Sequence, residues 1–159
     1  MFKTYKHYKY IVVTGCQRAG TRICAKCFSE DTGHKYTDEV EFETYDLFKF
    51  TELFKGEPKV IHAPTMSSIV HHLHREDVLV VFVKRDRDDI FMSQVKLDWD
   101  SSDEEFNYNF PYDIINTTYD YAKLQAKYIN YLEVEYESLR THPLWVSNRK
   151  FKWFQTKLQ

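Results

Sequence analysis

The chain predicts an α/β fold: a parallel β-sheet of about four to five strands flanked by helices in a three-layer sandwich. Three observations predict it. A short apolar strand at Tyr10–Thr14 runs through a loop with glycines at 15 and 20 into a helix. The run Val78–Val83 is continuously apolar and rich in β-branched residues, the pattern of a strand covered on both faces. Segments of helical spacing alternate with such runs along the chain, and that alternation is satisfied by a parallel sheet with helices on both sides.

The elements follow in order. Tyr10–Thr14 reads as a buried strand, and a helix follows from Thr21 to about Phe28. Residues 29–43 are polar and mixed, with one short strand near Tyr36. Leu47, Phe48 and Phe54 give helical spacing over Thr44–Phe54, stopped by Gly56-Glu57-Pro58. Lys59–Ala63 reads as a second buried strand, Ser67–Leu73 as a short helix and Val78–Val83 as the central strand. A helix is expected from Asp88 to about Val95. Asp98–Glu105 is a loop with five carboxylates, read as solvated. Ile115, Tyr119, Ala122, Ala126 and Ile129 share one face of a long helix over Tyr112–Tyr131. Leu132–Tyr136 is the last strand and Arg149–Lys157 a terminal helix.

At 159 residues the chain is expected to form one domain, residues 1–159. Its 22 Lys and Arg against 24 Asp and Glu leave a net charge of −2, so no bulk basicity argues for nucleic acid and an anion site must be a local cluster. No apolar run reaches membrane-spanning length, and Met1–Tyr10 lacks the apolar core of a secretion signal, so a cytoplasmic protein without membrane contact is expected. Three cysteines suggest no disulfide framework.

The segment Gly15-Cys16-Gln17-Arg18-Ala19-Gly20-Thr21-Arg22 has the layout of a loop that cradles phosphate groups on a helix N-terminus. A nucleoside triphosphatase places Lys and then Ser or Thr after the second glycine. Thr21 and Arg22 stand there instead, and the cation sits inside the loop at Arg18. A second constellation follows the central strand, where Arg85 and Ser93 lie eight residues apart in Lys84-Arg85-Asp86-Arg87-Asp88-Asp89-Ile90-Phe91-Met92-Ser93. An arginine fork and a serine hydroxyl in one pocket suit a phosphate. A third segment, Leu132–Leu139, ends in Tyr136-Glu137-Ser138-Leu139 and reads as structural.

Together these segments resemble the sulfotransferases, in the same order and each at a strand end, over about Tyr10–Leu139. Ala19 and Arg22 replace a serine and a threonine of that family's loop, and Arg87 takes a proline position. The family's glycine-rich basic C-terminal segment has no counterpart; Asn148–Lys152 is basic without glycine. The resemblance implies transfer of a sulfuryl group from 3′-phosphoadenosine 5′-phosphosulfate to a hydroxyl or amine of a small-molecule or carbohydrate acceptor, without a metal, releasing adenosine 3′,5′-bisphosphate. It implies that Gly15, Cys16, Gln17, Arg18, Ala19, Gly20, Thr21 and Arg22 hold the 5′-phosphosulfate, that Arg18 stabilises the bridging oxygen, and that Arg85 and Ser93 hold the 3′-phosphate. His62, closing its strand before Ala63-Pro64, is the first candidate for the base, and Glu39 the second. The short chain leaves open a homo-oligomer in which another subunit supplies acceptor-binding insertions. Two other classes stay open: a nucleotide or nucleoside kinase-like enzyme, and a non-catalytic module that retains the fold.

His71, His72 and His74 invite a metal reading, but no nearby Cys or carboxylate completes a set, and a solvated helix end fits them better. Cys24 and Cys27 lie inside the first helix rather than at its start, which makes them buried small side chains rather than a redox pair.

Overall fold

A computed structural model of the protein describes residues 1–41, 47–68, 70–96 and 109–147. Five strands are present among them: β1 (Tyr10–Gly15), β2 (Lys35–Thr37), β3 (Lys59–His62), β4 (Val78–Lys84) and β5 (Asn130–Glu135). All pair in parallel, in the order β2-β3-β1-β4-β5. The α-helices are α1 (Thr21–Thr32), α2 (Leu47–Glu52), α3 (Arg87–Lys96) and α4 (Asn109–Gln125). The expected fold class is therefore observed, with β1 rather than β4 at the centre.

Every residue of β1 is buried, and its side chains alternate between two cores. Ile11 and Val13 join Val60, Val81 and Val134 under α1, with Cys24, Cys27, Phe28 and the N-terminal Phe2. Tyr10 and Val12 join Ile61 and Val80 on the other face, with Phe50, Phe54, Met66 and Leu73. Phe2 stacks on Phe28 with ring centroids 3.9 Å apart, so the segment before β1 closes the first core. A side chain such as Phe28, fully buried, contributes roughly 1.5–3 kcal/mol.

Several boundaries differ from the sequence reading, each for a local reason. Helix α1 runs on past Phe28, where the Asp31 carboxylate accepts from the Phe2 N–H and meets His142, and it stops where the Gly33 N–H caps the Ser29 carbonyl. A 3-10 turn, Val70–His72, stands within Ser67–Leu73, where a short helix was expected, and another, Pro64–Met66, precedes it. Helix α4 ends at Gln125, whose amide donates to the Ser67 carbonyl, and β5 begins six residues before Tyr136 because the Asn130 amide donates to the carbonyls of Arg75 and Val78. Tyr136 itself starts a 3-10 turn, Tyr136–Thr141, that buries Leu139. The acidic loop, the terminal helix, the basic segment at 148–152 and the start of the helix expected at Thr44 lie outside the described residues. Among the described residues no helix is long and apolar enough to cross a membrane.

The sheet register decides what meets at the strand ends. Val13 is level with His62 on one side and Val81 on the other, and Thr37 is level with Ile61. Asp38 therefore follows β2 beside His62. Lys84 is level with Glu135, so Arg85 and Tyr136 emerge side by side. The loop after β1 is wedged between them. A Cβ on Gly20 (φ 89°) would lie 2.3 Å from the Tyr136 ring. Gly20→Ala is accordingly expected to destabilise the fold by about 1–3 kcal/mol, measured by urea denaturation, and Tyr136→Leu in the same chain to recover part of that loss.

Candidate functional site

The site is built on the loop between β1 and α1. Its base is fixed on both sides. The Ala63 N–H donates to the Val13 carbonyl at 2.9 Å, and the Thr14 hydroxyl donates to the Ala63 carbonyl at 3.0 Å. On the β4 side, Gly15 (φ 147°) packs so closely that a Cβ would stand 2.9 Å from the Val83 carbonyl oxygen. Gly20 then opens α1 with no side-chain cap, so the first helical N–H groups face the loop.

Among the described residues Arg18 is the non-glycine residue with positive φ, at 71°. That backbone costs about 1–2 kcal/mol in an L-residue, and the surroundings hold it in place. The Ala19 N–H donates to the Cys16 carbonyl, the Gln94 amide donates to the Gln17 carbonyl at 3.1 Å, and the Arg85 Nη1 donates to the Arg18 carbonyl at 3.0 Å. The Arg18 Nε in turn donates to the Ser93 hydroxyl at 3.0 Å. The structure thus brings Arg18, Arg85 and Ser93 together around one loop. Arg85 lies over the Tyr136 ring, 4.3 Å from its centroid, and its backbone is clamped by the Tyr119 hydroxyl, which donates to the Arg85 carbonyl at 2.7 Å. The Arg85 Nε is buried and has no hydrogen-bond partner among the described residues. Beside Arg85 opens a cavity of about 530 Å³ between β4, α3, α4 and β5, with Arg87, Tyr112 and Tyr119 among its walls.

A polar chain runs under the other side of the loop. Thr21 and His62, only 4% and 3% exposed, meet at 2.7 Å between Oγ1 and Nε2. His62 Nδ1 faces Asp38 Oδ1 at 3.6 Å, just beyond hydrogen-bond length. The second Asp38 oxygen accepts from Arg22 Nε at 3.1 Å and from the Tyr36 hydroxyl. Burial lowers the His62 pKa to about 4; Asp38 opposes the shift, while Arg22 and Lys26 add to it. Glu39 lies against Thr65, and burial followed by the Asp38 charge raises its pKa above the usual carboxylate range.

His62 is beneath the loop with both ring nitrogens turned to protein groups, Nε2 to Thr21 and Nδ1 to Asp38. Cys16 is buried against the Ile115 carbonyl, and burial raises its thiol pKa to about 11, so it enters the loop as a packed, protonated side chain. Cys24 and Cys27 are buried in the core, and burial holds both thiols protonated. Among the described residues no group of three or more His, Cys, Asp or Glu is placed to hold a metal ion. Sequence reasoning missed Asp38, Gln94, Tyr119 and Tyr136. Asp38 and Tyr136 each follow a strand end, and that position was their one available signal.

No protein-family model matches the chain, and no curated protein matches it in sequence. Among solved structures it is similar to shikimate kinase from Bacteroides thetaiotaomicron, at 14% identity over 92% of this chain and 98% of that one, with a TM-score of 0.58. It is similar to a gluconokinase from Sinorhizobium meliloti 1021, at 11% identity over 94% and 98%, TM-score 0.52. It is also similar to a sulfotransferase from Alicyclobacillus acidocaldarius, at 13% identity over 84% and 75%, TM-score 0.52. At these identities the likeness shows the fold, a P-loop-like parallel sheet with flanking helices common to such kinases and sulfotransferases.

Two stability measurements check this geometry. Both Arg18→Gly and Arg18→Ala lose the Ser93 contact, but only glycine relieves the positive φ. Arg18→Gly is expected to be more stable than Arg18→Ala by about 1 kcal/mol in urea denaturation. For His62 the folded pKa is depressed from 6.5 to about 4, so the unfolded chain binds more protons in that window. The stability it contributes is complete above 6.5 and is lost as pH falls towards 4, by about 3 kcal/mol in all. His62→Gln should remove that component from the pH–stability curve.

Proposed function

We propose that the protein is a sulfotransferase that moves a sulfuryl group from 3′-phosphoadenosine 5′-phosphosulfate to an acceptor hydroxyl or amine. The observation that carries this reading is the state of two arginines. Arg18 and Arg85 are tied to the loop through neutral partners, a serine hydroxyl, a backbone carbonyl and an aromatic ring. Among the described residues neither pairs with a carboxylate, so both keep their charge for an anionic ligand. Arg22, by contrast, is paired with Asp38.

The residues fit the donor's two anionic groups. Uncapped N–H groups of the loop and of α1 would hold the 5′-phosphosulfate, with Arg18 at the oxygen that takes up charge as the S–O bond breaks. Ser93 and the unpartnered Arg85 Nε would hold the 3′-phosphate. In this reading Glu39 takes the acceptor proton while the acceptor oxygen or nitrogen bonds to sulfur, because burial favours its protonated form. We read residues 1–159 as one domain.

A second reading, a small-molecule kinase, is favoured by the near-complete coverage of the kinase structures. Against it, Thr21 and Arg22 replace the Lys and the hydroxyl that a triphosphate and its magnesium use.

Calorimetric titration with adenosine 3′,5′-bisphosphate, and separately with ATP and magnesium, separates the readings. Micromolar binding of the bisphosphate is expected, weakened about 10- to 100-fold in Arg85→Ala or Arg18→Ala, the loss of roughly 1.5–3 kcal/mol typical of a charged hydrogen bond. Ser93→Ala should cost less, about 3- to 10-fold. Binding of ATP with magnesium alone would instead establish the kinase reading, and silence from both would leave a binding module.

A further inference from the structure

The Thr21–His62–Asp38 chain has a direction. Asp38 Oδ1 stands 3.6 Å from His62 Nδ1, beyond a hydrogen bond, and its negative charge favours placing the hydrogen of the neutral ring on the nitrogen that faces it. His62 Nε2 is then a lone pair, and the 2.7 Å contact is the Thr21 hydroxyl donating to it. Thr21 has one hydroxyl hydrogen and has committed it to the protein interior. It is also the first residue of α1, at the uncapped helix end where the proposed donor site places an anion, and the inference rests on that reading to this extent. Towards that anion it offers only lone pairs, which repel it.

One proton removes the conflict. Protonated at Nε2, His62 becomes the donor to Thr21 Oγ1, and the Thr21 hydrogen is free to turn to the anion. We propose that anion binding in the loop is coupled to uptake of one proton by His62, which acts as a positioning residue that sets the hydrogen-bond polarity of Thr21. The balance is simple: one solvent proton is bound at Nε2, the Thr21 O–H bond is kept, and its hydrogen bond changes partner.

Charged or titratable groups among the described residues act on the ring or on the carboxylate that faces it. Asp38, at the end of β2, favours the imidazolium. Arg22 and Lys26, on α1, oppose it, and Arg22 is itself held by Asp38. Tyr36 donates to the same carboxylate. Burial keeps the ring neutral in the free protein. An anion in the loop adds the negative charge that tips it. Binding should then tighten as pH falls, by at most about tenfold per pH unit.

The inference deepens the donor-site reading only in part, since it requires an anion in the loop and not a particular nucleotide. Two probes keep them apart. Inorganic sulfate does not titrate near neutral pH, so any proton taken up belongs to the protein. With ¹⁵N-histidine-labelled protein, the His62 ring, assigned by its disappearance in His62→Gln, should show the neutral Nδ1–H form when free. It should move towards the doubly protonated form as sulfate is added near pH 6. Calorimetry with adenosine 3′,5′-bisphosphate in two buffers of different ionisation enthalpy should show extra proton uptake in the wild type over His62→Gln. Asp38→Asn, which keeps the side-chain shape, should lower that uptake while retaining binding. A His62 ring that stays neutral at saturating sulfate, or proton uptake equal in wild type and His62→Gln, overturns the inference and leaves the donor site standing if the bisphosphate binds. A sulfate response without bisphosphate binding keeps the inference and removes the donor-site reading. No response to either probe overturns both.

Discussion

The closeness of the loop after β1 to its neighbours on the β4 side is the constraint from which the site follows. Gly15 sits where a Cβ would come within 2.9 Å of the Val83 carbonyl, and Gly20 where one would come within 2.3 Å of the Tyr136 ring. Those two contacts press the loop against the ends of β4 and β5. Arg85, one residue beyond β4, can then reach the Arg18 carbonyl, and Ser93, two turns into α3, can reach the Arg18 side chain. The positive φ of Arg18 is the local cost of that compression. It is confined to one residue because carbonyls on both sides of it, Gln17 and Arg18, are held from α3 and β4.

Sheet order supplies the other half of the arrangement. With β1 in the middle, its loop has β3 and β2 on one flank and β4 and β5 on the other. The β4 flank brings arginines held by neutral groups. The β2 flank brings carboxylates, with Asp38 joined to Arg22, Tyr36 and His62. Both flanks carry both signs of charge: Asp86, Asp88 and Glu135 line the cavity beside Arg85, and Arg22 stands beside Asp38.

What the sequence disclosed follows the range of the signals. Val78–Val83 and Tyr10–Thr14 read as strands because burial on both faces leaves an unbroken apolar run, a signal within one segment. The loop and the Arg85–Ser93 spacing were legible for the same reason. Strand β5 was harder: of its residues Val134 alone is buried, and the Asn130 amide that starts it bonds to residues more than fifty positions away. Asp38 and Tyr136 were invisible as site residues because their partners, His62 and Gly20, become neighbours only through the sheet register. His62 was found, but its direction was not. A histidine ending a strand before Ala63-Pro64 gives no sign of whether its nitrogens face solvent or a threonine on the next helix.

The contrast between Arg22 and the other two arginines carries the chemistry further than their shared charge does. An arginine paired with a carboxylate offers an incoming anion little net attraction, since the pair is already neutral. An arginine resting on an aromatic face keeps its charge, because the ring contributes a quadrupole and no counter-ion. Arg85 is of the second kind, 4.3 Å above Tyr136. The same ring touches Gly20, so the residue that shapes the loop also supports the cation beside it. A cation fixed in this way needs little reorganisation when an anion approaches it. Tyr136 therefore joins the packing of the fold to the electrostatics of the site.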